Sequence, residues 1–396
     1  MSQNTGPASD GRIQSLDVLR GISLLGILLV NMISFHSPFG YYNPYEWWKY
    51  GDATVYTWLD IFVQGSFYPI FAMMFGYGMV IMRQRAHKNG TPFYSVSIRR
   101  LLVLLFIGIL HVFLVWHGDI LITYALMGMV LLLFIRLPGP ILMGVAAVMY
   151  LLPQLIISAL LILMASFDSV SLADFTDIVG MQQSAAAYST GSFAEITGQR
   201  ITDWAVQNGI REGGLFLYLF MILPLMMLGA GAAKLHWLQK AAAQKKKWTI
   251  ILLVGLILGL AIKTIPINFS TSISYQYVQD AIGGPILGIA YAAAIILLMT
   301  SQKAGRLLKP FASAGKMSIT LYLMQSIIGT LIFYHYGLGL YGQVSMATGT
   351  WLAVALFALQ VVFAELWLSK FRQGPVERLW RLGTYGKRKM KMEESK

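Results

Sequence analysis

The chain alternates long apolar runs with short polar connectors, and within the runs hydrophobic residues are continuous rather than placed at every second position. A helix of about 20 residues crosses the roughly 30 Å of bilayer hydrocarbon. Runs of that order occupy 14–35, 57–82, 101–117, 119–135, 139–166, 214–238, 248–267, 277–300, 314–334 and 348–369. They lack the period of two of an outer-membrane barrel strand and are about twice its length. The pattern therefore predicts an all-α, polytopic membrane bundle of about ten helices, built as a polar N-terminus at 1–13, a bundle over 14–370 with a connector at about 167–213, and a tail at 371–396.

Composition agrees: 57% of the 396 residues are hydrophobic and 12% charged, with a mean hydropathy of +0.63, which excludes an ordinary soluble enzyme. The formal charge of +13 raises the question of a nucleic-acid partner, and the placement of the basic residues answers it. Arg83, Arg85, Lys88, Arg99 and Arg100 join the second and third runs, Arg136 follows the fourth, and Lys240 and Lys245–Lys247 join the sixth and seventh. Lys303, Arg306, Lys309 and Lys316 join the eighth and ninth, and Arg378, Arg381, Lys387, Arg388, Lys389 and Lys391 fill the tail. The intervening loops are nearly free of Lys and Arg, so the positive-inside rule predicts both termini in the cytoplasm and 167–213 outside. The partner implied is a lipid bilayer, not a nucleic acid, and the chain is compatible with a homo-oligomer.

Residues 1–13 carry no basic n-region and the first run has no small-residue cleavage site, which predicts an uncleaved first helix. The sequence has no cysteine, so any covalent chemistry must use another residue. The connector carries Asp168, Asp174, Asp177, Glu195, Asp203 and Glu212 against Arg200 and Arg211. It reads either as a solvated link with short amphipathic helices or as a lid over an external cavity.

Candidate chemistry concentrates in the hairpin between Arg100 and Arg136, where His111 sits inside an apolar run and Trp116-His117-Gly118-Asp119 forms the turn. A histidine in hydrocarbon is costly unless it is paired or working. At about 1.5 Å per residue, His111 lies roughly 17 Å beyond Arg99, in the outer half. Asp119 opens the next helix, where it can cap backbone N–H groups, orient a histidine, or do both. Asn31, Asp60, Gln64, Asp280 and Gln325 also fall in or near the middle and outer parts of their runs. Asp60, Asp280, His36, His117 and His335 are each expected at a water interface, and Asn31 and Gln325 serve equally as interhelical hydrogen-bond partners or as ligand contacts. His36, His111, His117 and Asp119 have no recognised metal-ligand spacing, so no metal is predicted. On the inner side Asp17 and Arg20, three apart on one helix face, form either a structural ion pair or, through Arg20 with Arg83, Arg99 and Arg100, part of a basic mouth for a phosphorylated ligand.

Five segments carry a family resemblance: RIQSLDVLRGISLLGILLVN, FYPIFAMMFGYGM, RRLLVLLFIGILHVFLVWHGDILITYALMG, GKMSITLYLMQSIIGTLIFYHYGLGLYG and FRQGPVERLWRLGTYG. In this order over nearly the whole chain they resemble the YeiB-like bacterial membrane proteins, a family without an assigned function that is sometimes labelled as involved in transport. More distantly, Leu16, Asp17, Leu19, Arg20 and Gly21, followed by Asn31, resemble the LDxLRG-like start of a transmembrane acyltransferase superfamily that includes heparan-alpha-glucosaminide N-acetyltransferase and the acyltransferase-3 proteins. In the heparan enzyme a catalytic histidine follows the first span, and His36 is the nearest candidate here. His111 belongs instead to the H…GDIL element of the YeiB-like pattern.

The resemblance implies a protein of a bacterial cytoplasmic membrane that moves an acyl group from cytoplasmic acyl-CoA to an acceptor at the outer face. In that scheme acyl-CoA is a co-substrate rather than a tightly bound cofactor, and its phosphates dock at Arg20, Arg83, Arg99 and Arg100. His111 is the general base with Asp119 beside it, and His36 is second choice. Asn31 or Gln325 donates to the oxyanion, with His117, Asp60 and Asp280 as further substrate contacts. The other readings are a transporter or lipid-handling protein, since the same polar groups serve proton coupling, and an assembly or sensory protein without turnover.

Overall fold

The computed structural model describes residues 13–167, 176–209 and 214–394, in which helices are joined by loops and no strand is present. In chain order the helices are α1 (Gln14–His36), α2 (Tyr50–Phe62), α3 (Phe67–Lys88), α4 (Phe93–Leu114), α5 (Leu121–Phe134), α6 (Gly139–Phe167), α7 (Ile178–Thr190), α8 (Phe193–Gln207), α9 (Gly214–Met221), α10 (Leu223–Lys234), α11 (Lys245–Lys263), α12 (Ile273–Val278), α13 (Gly284–Met299), α14 (Lys309–Lys316), α15 (Ser318–Phe333), α16 (Met346–Lys370) and α17 (Pro375–Glu394). Asp168, Asp174, Arg211 and Glu212 of the connector lie outside the described residues, as do residues 1–12.

Every predicted apolar run is helical. Among the described residues seven stretches are long and apolar enough to cross a membrane, and an eighth if α14 and α15, bent by 81°, form one span. Of the two remaining runs, α5 has only 14 residues and α11 carries Lys245, Lys246, Lys247 and Lys263. The chain is a multi-pass membrane protein.

Several runs that read as continuous are broken. The run 57–82 becomes α2 and α3, separated by Val63–Ser66, where Gly65 adopts φ +72°, a left-handed conformation that glycine reaches without strain. The run 214–238 breaks at Ile222, two residues before Pro224, and a π-helical turn at Gln279–Gly283 joins α12 to α13. A span-length hydropathy average passes over such breaks, because the few polar residues at them are outweighed by apolar neighbours.

The core centres on α1, which packs against α3, α14, α15 and α16. Backbones of α3 and α10 meet directly: a Cβ on Gly76 would lie 1.8 Å from the Met226 carbonyl oxygen, and one on Gly229 would lie 1.7 Å from that of Met73. Any side chain there forces the helices apart.

Charge separates the two ends of the bundle. At the basic end, Arg83 donates to the Ile135 carbonyl at 2.7 Å and Lys234 to that of Leu137, so both cap the exit of α5. Arg99 donates to the Thr384 carbonyl at 3.4 Å, and Arg100 lies 3.6 Å over the Trp380 ring, which docks α17 on α4. At the far end, α7 and α8 form a docked layer. Asp177 caps α7 by accepting from Gly180, and a reciprocal capping box of Ser192 and Glu195 starts α8. The connector is thus ordered over these two helices rather than a simple solvated link.

Candidate functional site

A cavity of about 470 Å³ opens in the far half of the bundle. Asn31, Gln64, Gln276 and Asp280 supply polar groups to its wall, Tyr68, Tyr218, Tyr277 and Tyr322 supply phenol rings, and Gln207 and Asn208, at the end of α8, close one side. The docked layer therefore covers part of the cavity, as a lid does. That volume falls in the range of small-molecule sites, and a largely apolar wall with a few convergent polar groups is their usual form.

All three helix breaks reach this cavity, two of them through Gly65 and Asp280 and the third through Ile222. Gly65 and Asp280 line it, and a Cβ on Gly65 would lie 3.1 Å from both the carbonyl and a carboxylate oxygen of Asp280. Irregular backbone at membrane depth is tolerated where it lines a cavity or is covered by protein. Single π turns inside helices recur at functional sites, because the extra residue re-aims the side chains around it. Here the turn presents Asp280, whose side chain is 37% exposed, to the cavity. Lys263, fully enclosed, donates to Asp280 at 2.8 Å and to the Gln64 carbonyl at 3.0 Å. Asp60 lies close by, accepting from Gln279 at 2.5 Å and from the Tyr45 hydroxyl.

His111 and Asp119 form the pair that the hairpin suggested. His111 Nδ1 is 2.9 Å from Asp119 Oδ1, and Asp119 Oδ2 accepts from the Ile122 N–H at 2.8 Å. Capping and orienting are thus done by the same carboxylate, one oxygen for each. Neither side chain reaches solvent, with exposures of 1% and 0%, and His111 is not among the residues that line the cavity. The turn residues Gly118, Asp119 and Ile120 line the cavity. His111 Nε2 has no hydrogen-bond partner, and Tyr322, whose ring is 5.3 Å from the imidazole, lines the cavity and donates to the Gly118 carbonyl.

His117 belongs to the lid. Its Nδ1 is 3.3 Å from the Tyr188 hydroxyl and 3.8 Å from Asp203 Oδ2. Asp203 also accepts from Tyr41 at 2.6 Å, Gln199 at 2.6 Å and Tyr188 at 2.7 Å. Burial holds the His117 imidazole below its ordinary pKa of 6.5, with Asp203 opposing and Arg200 and His111 assisting. Arg200, fully buried, donates to the Tyr336 hydroxyl at 3.0 Å and lies over the rings of Phe193, Tyr334 and Tyr336.

Other expectations need correction. His36, His117 and Asp60 are not interfacial: they are 1%, 6% and 3% exposed. His36 sits between Trp48 and Phe333 with neither ring nitrogen hydrogen-bonded, away from the cavity lining. Gln325 is also absent from that lining, and its amide donates to Gln360 at 2.9 Å. The four arginines lie at the basic end of the bundle. Arg20, 3.7 Å from Asp17, stands in the electrostatic neighbourhood of Arg100, whereas Arg83 is at the exit of α5 beside Lys234. Asp280 and His335 do meet solvent as expected. Among the described residues no group of three or more histidine or acidic side chains is placed to hold a metal ion.

Sequence reasoning missed Lys263 and the combination of Asp203, Arg200 and Tyr188. Lys263 carried a signal, as a lone lysine in the run 248–267. The role of Asp203 carried none, because its partners come from Tyr41, His117 and Tyr188, far apart in sequence.

A helical multi-pass membrane protein with a polar cavity at the junction of broken helices is the class these features define. The chain belongs to the YeiB-like family. Residues 232–387 match the family model described as "Protein of unknown function (DUF418)". The chain is 36% identical over 400 residues to the uncharacterized protein YxaH of Bacillus subtilis (strain 168), covering 97% of each. It is 28% identical over 391 residues to the uncharacterized protein YeiB of Escherichia coli (strain K12), covering 93% of this chain and 94% of that relative.

Proposed function

We propose that the chain is a membrane acyltransferase that works in the far-end cavity, with His111 as general base and Asp119 as the residue that positions it. The observation that carries this reading is the Nδ1 to carboxylate contact of 2.9 Å that leaves His111 Nε2 without a partner. A carboxylate on Nδ1 fixes the tautomer whose Nε2 accepts a proton. In the step proposed, Nε2 takes the proton of an acceptor amine or hydroxyl while its N or O attacks the acyl carbonyl of a thioester. The C–S bond then breaks, and the proton passes to the leaving thiolate. Asn31, on the cavity wall, is the amide suited to hold the developing oxyanion. His111 is enclosed and does not line the cavity, so the reaction needs a local opening that brings Nε2 to the substrate. We further propose that the basic end faces the bacterial cytoplasm, with both termini inside and α7 and α8 outside. Acyl-CoA is then the donor class, approaching from the end that carries Arg20, Arg99 and Arg100.

The test is acyl transfer by the purified protein in lipid nanodiscs, with a panel of short and long acyl-CoAs and envelope extract as acceptor. His111→Gln is expected to abolish transfer while yield and melting temperature hold. An active His111→Gln protein ends the proposal. A second reading, transport or lipid handling, draws on the interrupted helices at the cavity, the arrangement in which many transporters bind substrate. It gains if no donor is consumed while labelled envelope lipid or solute moves across proteoliposomes that contain the protein.

A further inference from the structure

Around Asp280 the cavity wall sets a carboxylate beside the Gln64 amide and tyrosine rings. Two carboxylates, Asp60 and Asp280, share one buried cation, Lys263, whose ammonium is already engaged by Asp280 and the Gln64 carbonyl. Two buried side-chain amide oxygens, Oε1 of Gln64 and Oε1 of Gln279, have no donor at all, and Gln279 is fully enclosed. A buried acceptor left without a donor is destabilising. Of the two, only Gln64 is on the cavity wall, and its unpartnered oxygen beside two carboxylates that share one lysine calls for a cation that brings its own N–H groups. The carboxylate of Asp280 is open to the cavity, and the rings of Tyr68, Tyr218 and Tyr277 line the same space. Aromatic faces near a carboxylate favour an organic cation, since the ring quadrupole attracts it without a second desolvated charge.

We infer that the Asp280 side of the cavity binds a protonated primary amine carried by the substrate. Its N–H groups go to Asp280 and to the free amide oxygen of Gln64, and its carbon body lies against the tyrosines. The inference rests on the cavity being the substrate site, not on acyl transfer. If transfer does occur, the amine is a recognition group or, once deprotonated, the acceptor itself.

The experiment is thermal unfolding of the full-length protein in detergent with four probes of equal chain length: hexylamine, hexanol, hexanoate and hexyltrimethylammonium. Hexylamine is expected to raise the melting temperature at millimolar concentration by several degrees, and hexyltrimethylammonium by less, because it brings charge without donors. Hexanol and hexanoate should leave it unchanged. The double variant Asp280→Asn/Lys263→Gln removes both partners of the direct ion pair, leaves Asp60 its Tyr45 and Gln279 donors, and should lose the hexylamine shift. Asp280→Asn alone should lose it too. A shift of equal size with hexanol or hexanoate, full stabilisation by hexyltrimethylammonium, or a hexylamine shift that survives in the double variant overturns the inference. His111→Gln should keep the hexylamine shift. Absence of acyl transfer with amine binding intact would therefore sink the reaction alone, and loss of amine preference with transfer intact would sink only this site.

Discussion

Asp203 and Asp280 are both acidic residues of the far half of the bundle, and they live in opposite circumstances. Asp203 is 5% exposed and surrounded by donors: two tyrosines and a glutamine within 2.7 Å, with Ser184 and His117 further out. Asp280 is 37% exposed, shares a single lysine with Asp60, and has donor-less amide oxygens nearby. A carboxylate whose needs are fully met from within the chain holds parts together. One left partly open beside a cavity is available to a ligand. Burial alone does not distinguish the two, and satisfaction does.

The largest effect should come from Asp203→Ala, which strands Tyr41, Tyr188 and Gln199 in the interior and unties α7 and α8 from the loop after α1. We expect a loss on the order of 3 kcal/mol, read as a lower melting temperature and faster proteolysis within 168–213. Unchanged melting would remove the structural half of the comparison. Asp280→Asn should cost no more than about 1.5 kcal/mol, since Lys263 keeps the Gln64 carbonyl and the field of Asp60, yet it should abolish amine binding. If Asp280→Asn unfolds the protein while Asp203→Ala does not, the roles are reversed.

A smaller effect is expected from pH. His117 titrates below its ordinary 6.5 while the lid is docked, so the undocked state takes up a proton more readily. Docking should be strongest above about pH 6.5 and weaken as pH falls from there towards the lowered value. Hydrogen exchange of α7 and α8 between pH 8 and pH 5 checks this, and His117→Gln should flatten the His117 part of the dependence. An identical slope in wild type and variant would place the titration elsewhere. Smallest of all, Ser192→Ala removes the cap of α8, a change worth about 1 kcal/mol. Exchange should rise in α8 alone, leaving hexylamine binding intact; a lost amine response would mean that the lid and the site are not separable.

Much of the architecture was legible because hydrocarbon demands it: each apolar run is a helix, and the basic connectors gather at one end. The tight turn pointed to Asp119 as a cap or as a partner of His111, and the 2.9 Å contact between them comes from the structure alone. What escaped were features made by residues distant in sequence. Lys263 meets the carbonyl of Gln64 across 199 positions, and Gln279 meets Asp60 across 219. Nor does an apolar window reveal that its backbone breaks at Val63–Ser66 or widens at Gln279–Gly283. The cavity lies at both, so the least legible part of the fold is also the part that shapes the cavity. Asp60 illustrates the cost: counted from the helix start it looked wet, yet the turn after α2 packs it under Tyr45 and Gln279.

The π turn at Gln279–Gly283 also has a genetic reading. A π turn is an α-helix with one residue too many, so deleting one codon between 279 and 283 would restore regular winding and rotate everything on one side of it by about 100°. The apolar content of the run would hardly change, and the protein would still reach the bilayer, but Asp280 would no longer share a wall with Gln64. A single in-frame deletion is thus enough to replace the Asp280 corner of the cavity with plain helix. The length of that turn can change in one step, independently of the helices around it.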